Sequence, residues 1–120
     1  MFKPNDIVYI SGPMSKHHHW NFPKFFGIEA TLRHDFGCRV LNPAREESGL
    51  SWEQYMTLDR AKVEVCTHIL MLENWELSRG ACQEKDWAET MGKTVIYEYE
   101  IKQWQCGNLA AVAGSENING

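Results

Sequence analysis

Short apolar segments alternate with longer amphipathic ones, and this alternation restricts the fold more than any other feature of the sequence. Four apolar runs are typical of buried strands and lie at 7–12, 38–42, 68–73 and 94–99. Between them, apolar residues at helical spacing predict helices over about 22–36, 51–66 and 80–91. The order β-α-β-α-β-α-β predicts a mostly parallel sheet covered by helices on both faces.

Right-handed crossovers turn this order into a doubly wound, flavodoxin-like or Rossmann-like α/β sheet of four to five strands. At 120 residues one domain is expected, at 1–106, followed by a tail at 107–120 that is flexible or docks on a partner subunit. Ligands of such sheets bind at the carboxyl ends of the strands. Here these ends are the loops at 11–20, 42–50 and 73–80.

Charge and cysteine content narrow the class of protein. Twelve basic and sixteen acidic residues give a net charge of −4, and no basic run is present, so a nucleic-acid polymer is not an expected partner. The sequence shows no signal-peptide pattern and no apolar span of membrane length, so neither a leader nor a membrane span is expected. The four cysteines lack metal-ligand spacing and favour free thiols. These features predict a cytoplasmic protein without a membrane partner.

Two carboxylates occupy positions where apolar residues are expected. Asp59 falls on the same helical face as Met56 and Val63, and Glu84 shares a face with Ala88. A carboxylate on an inward face is unfavourable unless it is paired or used in function. Two of them, on helices flanking one strand, indicate acid/base or nucleophilic chemistry on a buried ligand.

Two loops carry candidate ligand-binding residues. Ser78, Arg79 and Gly80 lie at a predicted helix N-terminus, where free amides and added donors attract phosphate or carboxylate, although this sequence is also an ordinary helix start. In the first loop, Gly12 after Ser11 permits close approach of the backbone to a ligand. Neither a dinucleotide fingerprint nor a P-loop is present, and no organic cofactor is expected.

The histidine run His17–His19 has no acidic or cysteine partner at metal-ligand spacing, so a solvated loop is favoured and no metal is expected. Tyr9, in the first predicted strand, is favoured by periodicity as a packed core residue.

A series of short motifs resembles a known family in order and spacing over about residues 7–99. The motifs are Tyr9-Ile-Ser-Gly-Pro-Met-Ser15, Asn21-Phe-Pro, Leu41-Asn-Pro-Ala44, Trp52 with Tyr55-Met56 and Asp59, and Asn74-Trp-Glu with Ser78-Arg-Gly-Ala81 and Glu84. The series resembles the nucleoside 2-deoxyribosyltransferase-like superfamily, in particular a small branch found in phages and bacteria. It is also similar to the 2′-deoxynucleoside 5′-phosphate N-hydrolases. A bacterial cytoplasm or an infected host cell is the implied location.

The resemblance implies cleavage or exchange of the N-glycosidic bond of a 2′-deoxynucleoside or its 5′-monophosphate. It places the nucleophile on Glu84, the assisting aspartate on Asp59 and the first-strand aromatic residue on Tyr9. In the nucleotide hydrolases a serine before the glutamate helps to hold the 5′-phosphate, and Ser78 matches it. The acidic residue of the transferases near this position is absent, which favours a nucleotide, with Arg79 as a further phosphate ligand.

The remaining residues expected to bind substrate belong to the same motifs and are Ser11, Gly12, Met14, Asn21 and Gly80. The resemblance implies no metal and no organic cofactor. It implies a small-molecule substrate and a homo-oligomer, a dimer or larger, because members of the superfamily are oligomeric. Two alternatives stay open, namely a protein that senses or sequesters a nucleotide without cleaving it, and a structural or interaction protein of the same fold.

Overall fold

The sheet of this protein has four parallel strands, seen in a computed structural model that describes residues 2–14 and 18–107. The strands are β1 (Ile7–Ser11), β2 (Arg39–Leu41), β3 (His68–Met71) and β4 (Thr94–Tyr97), in the spatial order β2-β1-β3-β4. The connecting helices are α1 (Phe22–Phe36), α2 (Trp52–Val65) and α3 (Arg79–Thr90). The predicted flavodoxin-like α/β domain is therefore confirmed. Strand order reverses between β1 and β3, which is where such sheets bind ligands.

The central strand β1 divides its side chains between two cores. Val8 and Ile10 pack with the α1 side of the sheet, whereas Tyr9 packs with residues of α2 and α3. Because neighbouring side chains of a strand point to opposite faces, Ser11 lies on the same face as Tyr9. The alternation therefore directs both hydroxyl groups toward the helices that carry Asp59 and Glu84.

A fourth helix, α4, covers 98–107 and was not predicted from the sequence. The prediction of a strand continuing to Tyr99 is wrong, because β4 ends at Tyr97. The side chain of Glu100 accepts a hydrogen bond from the Tyr97 amide (2.8 Å), as in a helix-capping box. Ile101 is buried, and Trp104 packs against the α1-side core. The apolar residues of this segment also alternate as in a strand, and their packing in the core is what favours the helix.

The starts of α1 and α2 are fixed in different ways. Ser51 and Gln54 form a capping box at the start of α2. Asn21 precedes α1 in a left-handed conformation, and its side chain does not cap the helix. Its side-chain amide instead donates a hydrogen bond to the Pro13 carbonyl (2.8 Å), which fixes the β1–α1 loop.

Within 2–14 and 18–107, no helix has the length and apolarity needed to cross a membrane. The predicted tail falls almost entirely at 108–120, outside the residues that the structure describes, and the same is true of His17. The division into a domain and a tail therefore stays a prediction.

Candidate active site

Glu84 is the centre of a buried polar cluster beneath the carboxyl end of β1. Its Oε2 accepts a hydrogen bond from the Tyr9 hydroxyl (3.0 Å), and its Oε1 accepts one from the Ser11 hydroxyl (2.5 Å). Ala81 and Ala88 are buried on the same face of α3. These small side chains let the helix approach the sheet closely enough for Glu84 to reach β1. The carboxylate is thus oriented at both oxygens before any ligand binds.

Asp59 projects from α2 into the same cluster and is only 6% exposed. The carboxyl groups of Glu84 and Glu46 lie within hydrogen-bonding reach of it. Its Oδ1 is buried and receives no hydrogen bond from any N–H or O–H group in the described part of the chain. Since a carboxylate only accepts hydrogen bonds, a bond between two of these carboxyl groups requires a proton on one of them.

Glu46 is the member of the cluster that the sequence did not indicate. It follows the 3-10 turn Pro43–Arg45 at the carboxyl end of β2, and its side chain is only 6% exposed. Its carboxylate forms an ion pair with Lys62 of α2. A loop has no helical or strand period, so no pattern distinguishes this residue from its exposed neighbour Glu47. Its position in a loop at the carboxyl edge of the sheet was the one available signal.

Burial raises the pKa of every carboxyl group in the cluster. It raises the pKa of Asp59 to about 7, a shift that the hydrogen bond from Glu46 opposes and the negative charge of Glu84 increases. It raises the pKa of Glu46 to about 8, a shift that Lys62 opposes. Burial also raises the pKa of Glu84, against the stabilising hydrogen bonds that its carboxylate receives. The cluster therefore retains protons at neutral pH and does not carry three full negative charges.

The N-terminus of α3 brings together the residues predicted to hold an anion. The Ser78 hydroxyl oxygen caps the helix by accepting a hydrogen bond from the Ala81 amide (3.1 Å). The Arg79 guanidinium lies over the Trp52 ring, 3.9 Å from its centre. Both residues lie less than about two helical turns before Glu84. The charged end of Arg79 is thus held by stacking near the capped helix terminus.

Gly12 has a structural role that its sequence neighbours did not indicate. A Cβ atom at this position would lie 2.7 Å from Cβ of Leu72, so only glycine allows this close packing. The neighbouring Met14 packs against the α1-side core. At Gly80, in contrast, a Cβ atom would make only an ordinary contact, 3.5 Å from Sδ of Met56. For Gly12, Met14, Asn21 and Gly80 a role in substrate binding stays a prediction.

Among the residues that the structure describes, no group of three or more His, Cys, Asp or Glu side chains is arranged to hold a metal ion. The backbone of His18 and His19 belongs to a 3-10 turn at His18–Asn21.

A groove of about 740 Å³ opens at the carboxyl ends of β3 and β4. Its walls include three aromatic rings. Tyr97 stacks on Tyr99 with 5.8 Å between ring centres, and Trp75 lies 6.4 Å from Tyr97. Neither Glu84 nor Asp59 lines this groove, so it is distinct from the carboxyl cluster.

The fold is the flavodoxin-like α/β fold that the resemblance to the nucleoside 2-deoxyribosyltransferase-like superfamily implied. Residues 6–97 match the family described as a domain of unknown function, DUF4406, and the chain belongs to that family. Among solved structures it is similar to the Clostridium botulinum CMP N-glycosidase BcmB. The identity is 20%, the TM-score is 0.53, and the match covers 77% of this chain and 67% of that one. No curated protein matches the chain.

Proposed function

We propose that the protein cleaves or exchanges the N-glycosidic bond of a 2′-deoxynucleoside or its 5′-monophosphate, with Glu84 as the nucleophile. The observation that carries this proposal is the buried Glu84 carboxylate, which both Tyr9 and Ser11 orient. A second carboxyl group, Asp59, lies beside it, as two-carboxylate glycoside chemistry requires. The similar fold of a CMP N-glycosidase supports the same class of reaction.

In the first step of this mechanism, an oxygen of Glu84 attacks C1′ of the sugar as the bond to the base breaks. Positive charge develops at C1′ in the transition state, and the adjacent carboxylate stabilises it. Asp59 supplies a proton to the leaving base, for which its raised pKa of about 7 is well suited. In the second step, water releases the sugar from Glu84, whereas attack by another base gives exchange.

A 5′-phosphate fits the N-terminus of α3. Helix amides and the helix dipole favour an anion there, and Ser78 retains a hydroxyl proton to donate while its oxygen caps the helix. Arg79 adds a guanidinium held over Trp52. This arrangement supports a nucleotide over a nucleoside as the preferred substrate.

The substrate class is tested with a panel of deoxynucleosides, deoxynucleoside 5′-monophosphates and ribonucleoside 5′-monophosphates including CMP. Each is incubated with the protein, with and without an added free base, and the products are separated by chromatography. Release of base identifies hydrolysis, and a new nucleoside or nucleotide identifies exchange. Tight binding in calorimetry without either product would instead identify a protein that only binds nucleotides.

The nucleophile is tested by Glu84→Gln, which keeps the size of the side chain but removes its charge. We expect turnover to fall by on the order of 10³-fold or more, because the attacking group is lost. Glu89→Gln is the matched control, since Glu89 is exposed on the same helix and forms its ion pair with Lys85, away from the cluster. Wild-type turnover in folded Glu84→Gln protein would refute the assignment.

We also propose that the protein acts as a homo-oligomer, a dimer or larger. Several large apolar side chains are exposed on the single chain and are available for contacts between copies, namely Trp20, Trp52, Leu58, Val65, Leu77 and Tyr99. Light scattering coupled to size-exclusion chromatography measures the mass directly, and a monomer at all concentrations would contradict the proposal.

A further inference from the structure

We propose that Glu46 is a positioning residue for Asp59, and that their two carboxyl groups share one proton, which Asp59 delivers to the leaving base. The proposal rests on the proposed function and extends it to a residue outside the motifs. Under this proposal the loop after β2 takes part in proton transfer through Glu46, although Glu46 does not contact the reacting atoms.

The geometry that supports this is a row of three buried carboxyl groups with donors only at its two ends. Asp59 lies between Glu84 and Glu46 within hydrogen-bonding reach of both, so a single proton on Asp59 can bond it to either neighbour in turn. Two hydroxyl groups donate to Glu84 at one end, and the Lys62 ammonium donates to Glu46 at the other. The middle carboxyl group receives no such donor in the described part of the chain, and its Oδ1 is unpaired.

This distribution of donors indicates which carboxyl groups of the cluster hold the proton. A fully ionised Asp59 would be buried between two like charges, which is strongly unfavourable. Both oxygens of Glu84 already accept hydrogen bonds, as suits an anionic nucleophile. The proton is therefore shared between Asp59 and Glu46, and Lys62 balances the one negative charge that this pair retains.

The charged and titratable groups around Glu46 come from three elements, with Asp59 and Lys62 on α2, Glu84 on α3 and Tyr9 on β1. The pKa values of about 7 for Asp59 and about 8 for Glu46 agree with a pair that loses its protons jointly near neutral pH.

The proton that the pair loses in the first step returns to it in the second. When the C1′–N bond breaks and the Glu84–C1′ bond forms, the shared proton moves through Asp59 to the base nitrogen. The pair is then left with two negative charges against one Lys62 charge, which makes it a strong base. In the second step water attacks C1′, its proton returns to the pair, and the Glu84–C1′ bond breaks to regenerate the carboxylate.

Glu46→Gln tests the positioning role through the pH profile. In the wild type the hydrogen bond from Glu46 and the charge of Lys62 both lower the pKa of Asp59. The Gln amide still donates a hydrogen bond at this position, and Lys62 loses the partner that neutralises it, so the pKa of Asp59 falls. We expect the alkaline limb of the kcat profile to move down by about one pH unit or more, because the proton is lost earlier. At neutral pH kcat falls by about tenfold, with KM almost unchanged, and activity recovers on acidification.

Glu98→Gln is the matched control, since Glu98 is also buried and is paired with Lys24 and Lys102, but outside the cluster. It removes a buried ion pair of the same kind and destabilises the fold without moving the pH profile. A Glu46→Gln profile that matches the control would mean that Glu46 is only structural, and would overturn the proposal.

A second measurement does not depend on turnover. In protein labelled with ¹³C at the Asp and Glu side-chain carboxyl carbons, NMR titration follows Asp59 and Glu46 directly. We expect them to titrate together near pKa values of about 7 and about 8, and Asp59 to shift to lower pH in Glu46→Gln. Independent titration of Asp59 near its ordinary pKa overturns the shared proton. Coupled titration in a protein that releases no base supports the shared proton and refutes the proposed function alone.

Discussion

Two hydroxyl groups from alternate positions of one strand hold Glu84, so the register of β1 determines both contacts. Tyr9 and Ser11 lie opposite Ile69 and Met71 of β3, whose side chains complete the same face of the sheet. The close packing of Gly12 on Leu72 continues this alignment beyond the end of the strand. The orientation of the carboxylate therefore depends on backbone pairing and not on flexible side chains alone.

Removing one of these donors has a predictable effect on Glu84. Tyr9→Phe keeps the buried ring but removes the hydroxyl that donates to Oε2. A donor to the ionised form lowers the pKa of a carboxyl group, so its loss raises the pKa of Glu84 further. We expect the acid limb of the kcat profile to move to higher pH, and kcat to fall by about 10–100-fold.

Tyr55→Phe is the matched control for this variant. The Tyr55 hydroxyl donates to the Glu47 carbonyl in an exposed loop and does not contact Glu84. We expect this change to leave the acid limb in place. An unchanged acid limb in Tyr9→Phe would mean that the hydroxyl does not govern the ionisation of Glu84.

At the scale of single elements, the helical spacing of apolar residues predicted that Asp59 and Glu84 are buried, because that spacing shows which face of a helix points inward. Asp59 and Glu84 are indeed buried on their helices, at the positions where apolar residues were expected. Glu46 lies in a loop, where no period indicates burial, and its ion pair with Lys62 joins residues distant in sequence. Helix α4 was missed because its residues also alternate as a strand does, and packing of Ile101 decides between the two.

The cap of α3 allows its structural and binding roles to be separated. Ser78→Ala removes the side chain that accepts from the Ala81 amide, and we expect it to lower the free energy of unfolding by about 1 kcal/mol. Ser51→Ala removes the corresponding cap of α2 and sets the reference for stability. Denaturant titration of both variants measures these losses.

If the α3 terminus binds the 5′-phosphate, only Ser78→Ala raises KM for a deoxynucleoside 5′-monophosphate. The KM for the matching deoxynucleoside stays the same, because it has no phosphate to lose contact with. Equal effects of Ser78→Ala and Ser51→Ala on both substrates would restrict Ser78 to its capping role.

The whole molecule has buried carboxyl groups of two opposite kinds, on the two sides of its sheet. Glu29 of α1 bonds to Arg45, Asn42 and Arg33, and its pKa is lowered to about 2, chiefly by the hydrogen bond from Arg45. The pair Asp59 and Glu46 has raised pKa values instead. Ionised Glu29 therefore stabilises the fold, whereas ionisation of Asp59 and Glu46 destabilises it.

These opposite shifts predict a maximum of stability at mildly acidic pH. The folded pKa of Glu29 lies below its unfolded value, so its contribution is present above about pH 4.5 and is lost as the pH falls toward about 2. Asp59 and Glu46 bind protons more tightly when folded. Their contribution is therefore present at low pH and is lost between about pH 4 and about pH 8.

Denaturant titrations at a series of pH values measure this dependence. Each proton retained only by the folded state gives a slope of about −1.4 kcal/mol per pH unit, so the free energy of unfolding should fall steadily from pH 5 to pH 7. Asp59→Asn and Glu46→Gln should flatten this alkaline decline, whereas Glu29→Gln should flatten only the decline below about pH 4.5, since each substitution removes the group that titrates there. The same slope from pH 5 to pH 7 in the wild type, Asp59→Asn and Glu46→Gln would mean that Asp59 and Glu46 ionise at their ordinary pKa values in the folded protein. His68, whose pKa burial lowers, adds a slope of opposite sign that all three proteins share, so the comparison removes it.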